Sequence, residues 1–111
     1  MAHEAVRERI EAQMAALAQR AGRIEGDLRK ALDRDWPEQA TQVENDQVLE
    51  GLDAMTLAEL KSLHAALRRI DAGTYGSCAR CGQPIAEARL AALPTAITCV
   101  GCAAGAEGAR S

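Results

Sequence analysis

A chain of 111 residues with a net charge of −3, 48% hydrophobic residues and only 2% aromatic ones has room for one domain, or for an elongated module with a small metal-held one. Phe is absent and Trp36 and Tyr75 stand alone, so apolar packing falls to Leu, Ile, Val, Met and Ala, a vocabulary of helix pairing that excludes a sheet sandwich. The acidic balance excludes a surface built mainly to neutralise nucleic-acid phosphates, and no run approaches the roughly 18 apolar residues of a membrane span.

From about residue 3 to 32 the apolar positions Ile10, Met14, Leu17, Ala21, Ile24, Leu28 and Ala31 recur at alternating spacings of four and three, a heptad seam. The pattern predicts one long helix. Gly22 and Gly26 lie within it and cost about 1 kcal/mol each relative to Ala, so this helix needs a partner.

The next segment, 33–50, concentrates charge: Asp33, Asp35, Glu38, Glu44, Asp46 and Glu50 stand against Arg34 alone. The turn at 33–40 carries Asp35 as a candidate N-cap, Pro37 in the first helical turn and Glu38 three residues after the cap. A capping box and a solvated helix face account for these acids. Their concentration with the single Trp at the end of a rod also suits reaching into a narrow site to act on a cation or basic residues there.

A second helix is predicted over residues 36–72 from Leu49, Leu52, Leu60, Leu63, Leu67 and Ile70, with Val48 and Met55 widening the stripe and one slip of spacing near Thr56. Two such helices make an antiparallel hairpin about 45 Å long. It ends at Ala72-Gly73, where glycine supplies a left-handed closing conformation.

Cys78-Ala79-Arg80-Cys81 and Cys99-Val100-Gly101-Cys102 form C-x2-C-x17-C-x2-C, the spacing of a four-thiolate zinc site, with Gly82 and Gly101 relieving the tight backbone. A pair of disulfides or a redox C-x-x-C does not require two matching pairs. Four thiolates leave no open position for water, so the metal is structural: one Zn(2+) per chain. Between the first and last cysteine only Arg80 and Arg89 are basic and none is aromatic, which argues against direct reading of DNA. His3 and His64 neighbour no second ligand or nucleophile and read as ordinary helix residues; nothing catalytic appears.

The expected fold is therefore mainly α: an antiparallel coiled-coil hairpin over 1–72 with its tip at 33–40, a zinc finger over 73–103 and a short tail over 104–111. The absence of a hydrophobic signal segment leads us to expect a cytoplasmic protein, and intramolecular pairing of the helices a monomer.

Tyr75-Gly76-Ser77-Cys78, Cys81-Gly82-Gln83-Pro84-Ile85, Glu87-Ala88-Arg89-Leu90 and Leu93-Pro94-Thr95-Ala96 ahead of Cys99 resemble the DksA/TraR family of bacterial RNA polymerase regulators. The resemblance implies a non-enzymatic regulator whose hairpin enters the secondary channel of RNA polymerase. The family's tip pattern D-x-x-D-x-A falls on Asp35, Glu38 and Ala40, with Glu in place of the second Asp. Well-known members carry basic residues that help bind the alarmone ppGpp; here only Lys61, Arg68 and Arg69 lie near the corresponding region, implying a weak response. Two other readings stand beside this one. They are a transcript-cleavage factor of the Gre type, against which the four cysteines speak, and a zinc-stapled coiled-coil adaptor for another protein.

Overall fold

The computed structural model describes residues 3–35 and 49–103. Among the described residues the helices with both ends placed are, in order, α1 (Glu4–Ala21), α2 (Glu25–Asp35), α3 (Ala54–Ala72) and α4 (Glu87–Ala92). The mainly helical class is as the sequence predicts. The chain divides into two compact units, Met1–Leu67 and Arg68–Ser111, with the boundary inside α3.

Among the described residues of the first unit the buried apolar side chains are Ile10, Met14, Leu17 and Ala18 of α1, Leu28, Ala31 and Leu32 of α2, and Leu60, Leu63, Ala66 and Leu67 of α3. Most of the predicted seam is thus core, but the single helix predicted over 3–32 is two. Gly22 closes α1 in the left-handed region at φ 71°, its N–H reaching the carbonyl of Gln19 while the Arg23 N–H reaches that of Ala18. These two bonds satisfy carbonyls that a helix end otherwise leaves open. Ile24, a seam residue on paper, is 69% exposed at the break. Beyond it α2 folds back along α1: Arg29 pairs with Glu11 at 3.6 Å, whereas on one straight helix those residues would lie about 27 Å apart.

The second predicted helix also breaks. Gly51 takes φ 86°, and α3 begins only at Ala54, capped by Asp53. One Asp53 carboxylate oxygen accepts the Thr56 N–H at 2.7 Å, the other the Thr56 hydroxyl at 3.0 Å. The slip of spacing near Thr56 therefore falls in the first turn of α3. The Arg23 guanidinium ties the two breaks together, donating to the Ala21 carbonyl at 3.1 Å and the Glu50 carbonyl at 2.9 Å.

In the second unit Gly73 (φ 80°) ends α3, with the Thr74 N–H returning to the Arg69 carbonyl. Described β structure is limited to the bridge between Ser77 and Pro84. Among the described residues of this unit Tyr75, Ile85, Pro94 and Ala96 are the buried apolar side chains besides Cys78. None of the described helices is long and apolar enough to cross a membrane.

Candidate metal centre

Each cysteine pair is shaped by backbone that turns within four residues. In the first, the Cys78 N–H bonds the Gln83 carbonyl at 2.8 Å and the Ile85 N–H the Gly76 carbonyl at 2.7 Å, while Gly82, at φ 78°, returns its N–H to the Cys78 carbonyl. A side chain at Gly82 would be strained there, which explains the glycine. Gly101 is unlike Gly82 in that its φ is not positive: the second pair runs directly into helical backbone whose Ala103 N–H bonds the Cys99 carbonyl.

These turns aim backbone N–H groups at sulfur. Arg80 and Cys81 direct theirs at Cys78 Sγ (3.4 and 3.5 Å), and Cys102 directs its own at Cys99 Sγ (3.4 Å). The two halves are joined by the Ala79 N–H on the Ile97 carbonyl at 2.8 Å and by Arg89 Nε on the Thr98 carbonyl at 2.9 Å. The Tyr75 hydroxyl donates to the Pro94 carbonyl at 2.8 Å.

All four Sγ atoms lie within 4.8 Å of one another, with Cys81 and Cys99 at 3.8 Å. A tetrahedral ion with metal–sulfur bonds of about 2.3 Å separates its sulfurs by about 3.8 Å, so the donor set fits zinc. The electrostatics agree. The Cys81 N–H foremost, and those of Cys99 and Arg80, pull the Cys78 thiol down to about 6, and the Cys102 N–H chiefly lowers Cys99. Hydrogen bonds with Cys78, then Cys81 and Cys99, push the Cys102 thiol up to about 12. Four adjacent sulfurs thus share protons until a soft divalent cation lets all of them ionise.

Of the other residues singled out from sequence, Asp35 ends α2, its side chain outside the described set, and Glu38 and Ala40 lie outside the described residues. Lys61 is exposed, and Arg68 and Arg69 are half-buried on α3. His64, read as an ordinary helix residue, is buried, and its Nε2 stands 2.6 Å from Asp33 Oδ1. Nothing local in the sequence marks that pair, since its members are 31 residues apart.

Residues 73–108 match the family model of the prokaryotic dksA/traR C4-type zinc finger, and residues 6–70 match that of the DnaK suppressor protein-like N-terminal domain. An uncharacterized protein of Aquifex aeolicus (strain VF5) is 39% identical over 70 residues, 63% of this chain and 48% of that protein. The chain thus spans about half the length of this curated relative. No solved structure matches it. With a C4-type finger matched over the segment in which four thiols cluster, the metal is one structural zinc ion.

Proposed function

The chain belongs to the DksA/TraR family, and from that premise we propose that it is a cytoplasmic transcription regulator that binds RNA polymerase through the secondary channel and modulates initiation. The family is one of non-enzymatic regulators. The observation that carries the proposal is the order of the two matches: a DksA-like N-terminal domain over 6–70, containing the acidic segment, followed by the C4 finger over 73–108.

In this reading binding energy is spread over the helical segment and the finger, and the zinc holds the finger's shape. Asp35 and Glu38, with Ala40 beside them, act near the polymerase active site after docking. The formal charge of 33–50, acidic by five, suits an action on the cations and basic residues of a nucleotide-polymerising centre. Clustered cations for a polyphosphate are few, with Lys61, Arg68 and Arg69 on α3 the nearest group, so ppGpp adds little to the effect.

Co-purification with RNA polymerase core enzyme, paired with transcription from a ribosomal-RNA-type promoter, tests the proposal. Asp35→Asn should lower the effect on transcription while still competing for polymerase. Failure of the zinc-loaded wild type to bind core enzyme would end the proposal, and equal loss of binding and effect in Asp35→Asn would end the separate role of the tip.

A further inference from the structure

The two cysteine pairs are not held alike. Around the first, the Cys78 N–H reaches the Gln83 carbonyl, the Gly82 N–H returns to the Cys78 carbonyl and the Ile85 N–H reaches the Gly76 carbonyl, so the pair is enclosed by its own turn. Cys78 is buried, and its Sγ receives two backbone N–H groups, those of Arg80 and Cys81. Cys99 Sγ receives one, from Cys102, and Val100 between them is 60% exposed. What fixes the second pair from outside lies just ahead of it. Among the described residues, Ile97 and Thr98 are held by two hydrogen bonds, from the Ala79 N–H and from Arg89 Nε.

Arg89 is itself firmly seated. Its N–H bonds the Ala86 carbonyl at 3.0 Å and its carbonyl accepts the Leu93 N–H at 2.7 Å. Beside it Leu90 lies against Gly76, where an added Cβ would stand 3.7 Å from Leu90 Cδ1. From this base the guanidinium reaches across nine residues of sequence to the Thr98 carbonyl, in the peptide group joined directly to Cys99. A peptide group is planar, so fixing that carbonyl also orients the N–H and Cα of Cys99 on its far side, and with them the approach of the sulfur to the ion.

We propose that Arg89 is the positioning residue of the second cysteine pair: by holding the Thr98 carbonyl through Nε it keeps Cys99 and Cys102 on the zinc and sets how fast that pair lets the ion go. The donor matters by its place. Nε stands four bonds from Cα, as does the amide nitrogen of glutamine, whereas the ammonium of lysine stands five. Positioning therefore asks for a donor at that reach and not for charge. The competing account is Coulombic, because four thiolates on a dication carry a double negative charge that any nearby cation steadies. This role belongs to the zinc-bound chain itself and does not depend on the proposed partner.

The test is the rate of zinc transfer from the full zinc-loaded chain to an excess of a chromogenic pyridylazo chelator. Arg89→Met, which removes donor and charge together, should release zinc about five- to tenfold faster than wild type, the rate equivalent of one hydrogen bond. Arg89→Gln should stay within about twofold of wild type, and Arg89→Lys should be about as fast as Arg89→Met. Brief alkylation of the loaded chains, mapped by mass spectrometry, should show a larger rise over wild type at Cys99 and Cys102 than at Cys78 and Cys81 in Arg89→Met, a bias that general loosening of the unit does not produce.

Rescue by Arg89→Lys without rescue by Arg89→Gln would overturn the positioning role in favour of charge, and an equal rise at all four cysteines would overturn it in favour of general loosening. Wild-type rates in all three variants would overturn it outright. Should Arg89→Met fail to take up zinc, the comparison of Arg89→Gln with Arg89→Lys decides. Arg89→Gln releasing zinc no more slowly than Arg89→Lys, or failing to load, then overturns the proposal.

Discussion

Removing the metal should unfold the cysteine-bearing unit and leave the first unit standing. Within Arg68–Ser111 the described buried apolar side chains besides Cys78 are Tyr75, Ile85, Pro94 and Ala96. Each of the larger two contributes about 1.5–3 kcal/mol on burial, enough to offset the ordering of only a few residues at about 1–2 kcal/mol each. Zinc at a four-thiolate site contributes about 10–16 kcal/mol, so folding of this unit is metal binding by another name. The first unit instead buries eleven apolar side chains among its described residues and contains no cysteine. The described helix at stake is α4, six residues, the last five of α3 and the helical backbone at 100–103. Chelation should therefore cost no more than about a quarter of the helical signal of the described elements, while the backbone amides of the cysteine unit lose their dispersion in NMR spectra. Elemental analysis before chelation should give one zinc per chain. Loss of half the helix, or a metal-free cysteine unit whose amides stay dispersed, would refute this reasoning.

Leu63→Ala, at a side chain only 1% exposed, should destabilise the first unit by about 2–5 kcal/mol in urea unfolding, and a cost below about 1 kcal/mol would show that α3 does not pack there. Tyr75→Phe deprives the Pro94 carbonyl of its donor and should cost about 1–2 kcal/mol, read as earlier zinc release on heating; an unchanged release temperature would count against the bond. Asp53 is held below its ordinary value of 3.8 chiefly by the Thr56 N–H, so its folded pKa is depressed and its stabilisation is present above that value. Wild type should melt above Asp53→Ala at neutral pH, and the gap should close as pH falls below about 4; a gap that persists in acid would rule out the charged cap.

The metal centre was legible in the sequence because everything it requires is local: two C-x-x-C turns, a glycine after the first, and a spacing that thiolate sites share. How each pair closes was not legible, because the same short motif can close either through left-handed glycine, as at Gly82, or by running into a helix, as at Gly101, and only the chain that follows decides. The helical class and most of the core were legible from the heptad seam. The breaks at Gly22 and Gly51 were not, since a periodic pattern reports which face is apolar and is silent on whether the axis continues. The slip near Thr56 was the one audible signal of the second break, and Asp53 with Thr56 gives it physical form. His64 was unreadable for a different reason: its polar partner is Asp33, 31 residues away, which only the fold-back of α2 brings to it.

Each cysteine pair closes within a four-residue turn, while seventeen residues separate the two pairs, and this difference in loop size governs how the ion arrives and leaves. A zinc caught by one pair meets the other at an effective concentration on the order of millimolar, set by the tether and not by the protein in solution. The half-ligated form is therefore a brief intermediate, and loading is close to all-or-none. A competing chelator gains its hold only in the interval when one pair has let go, so exchange is slow even where the site faces water.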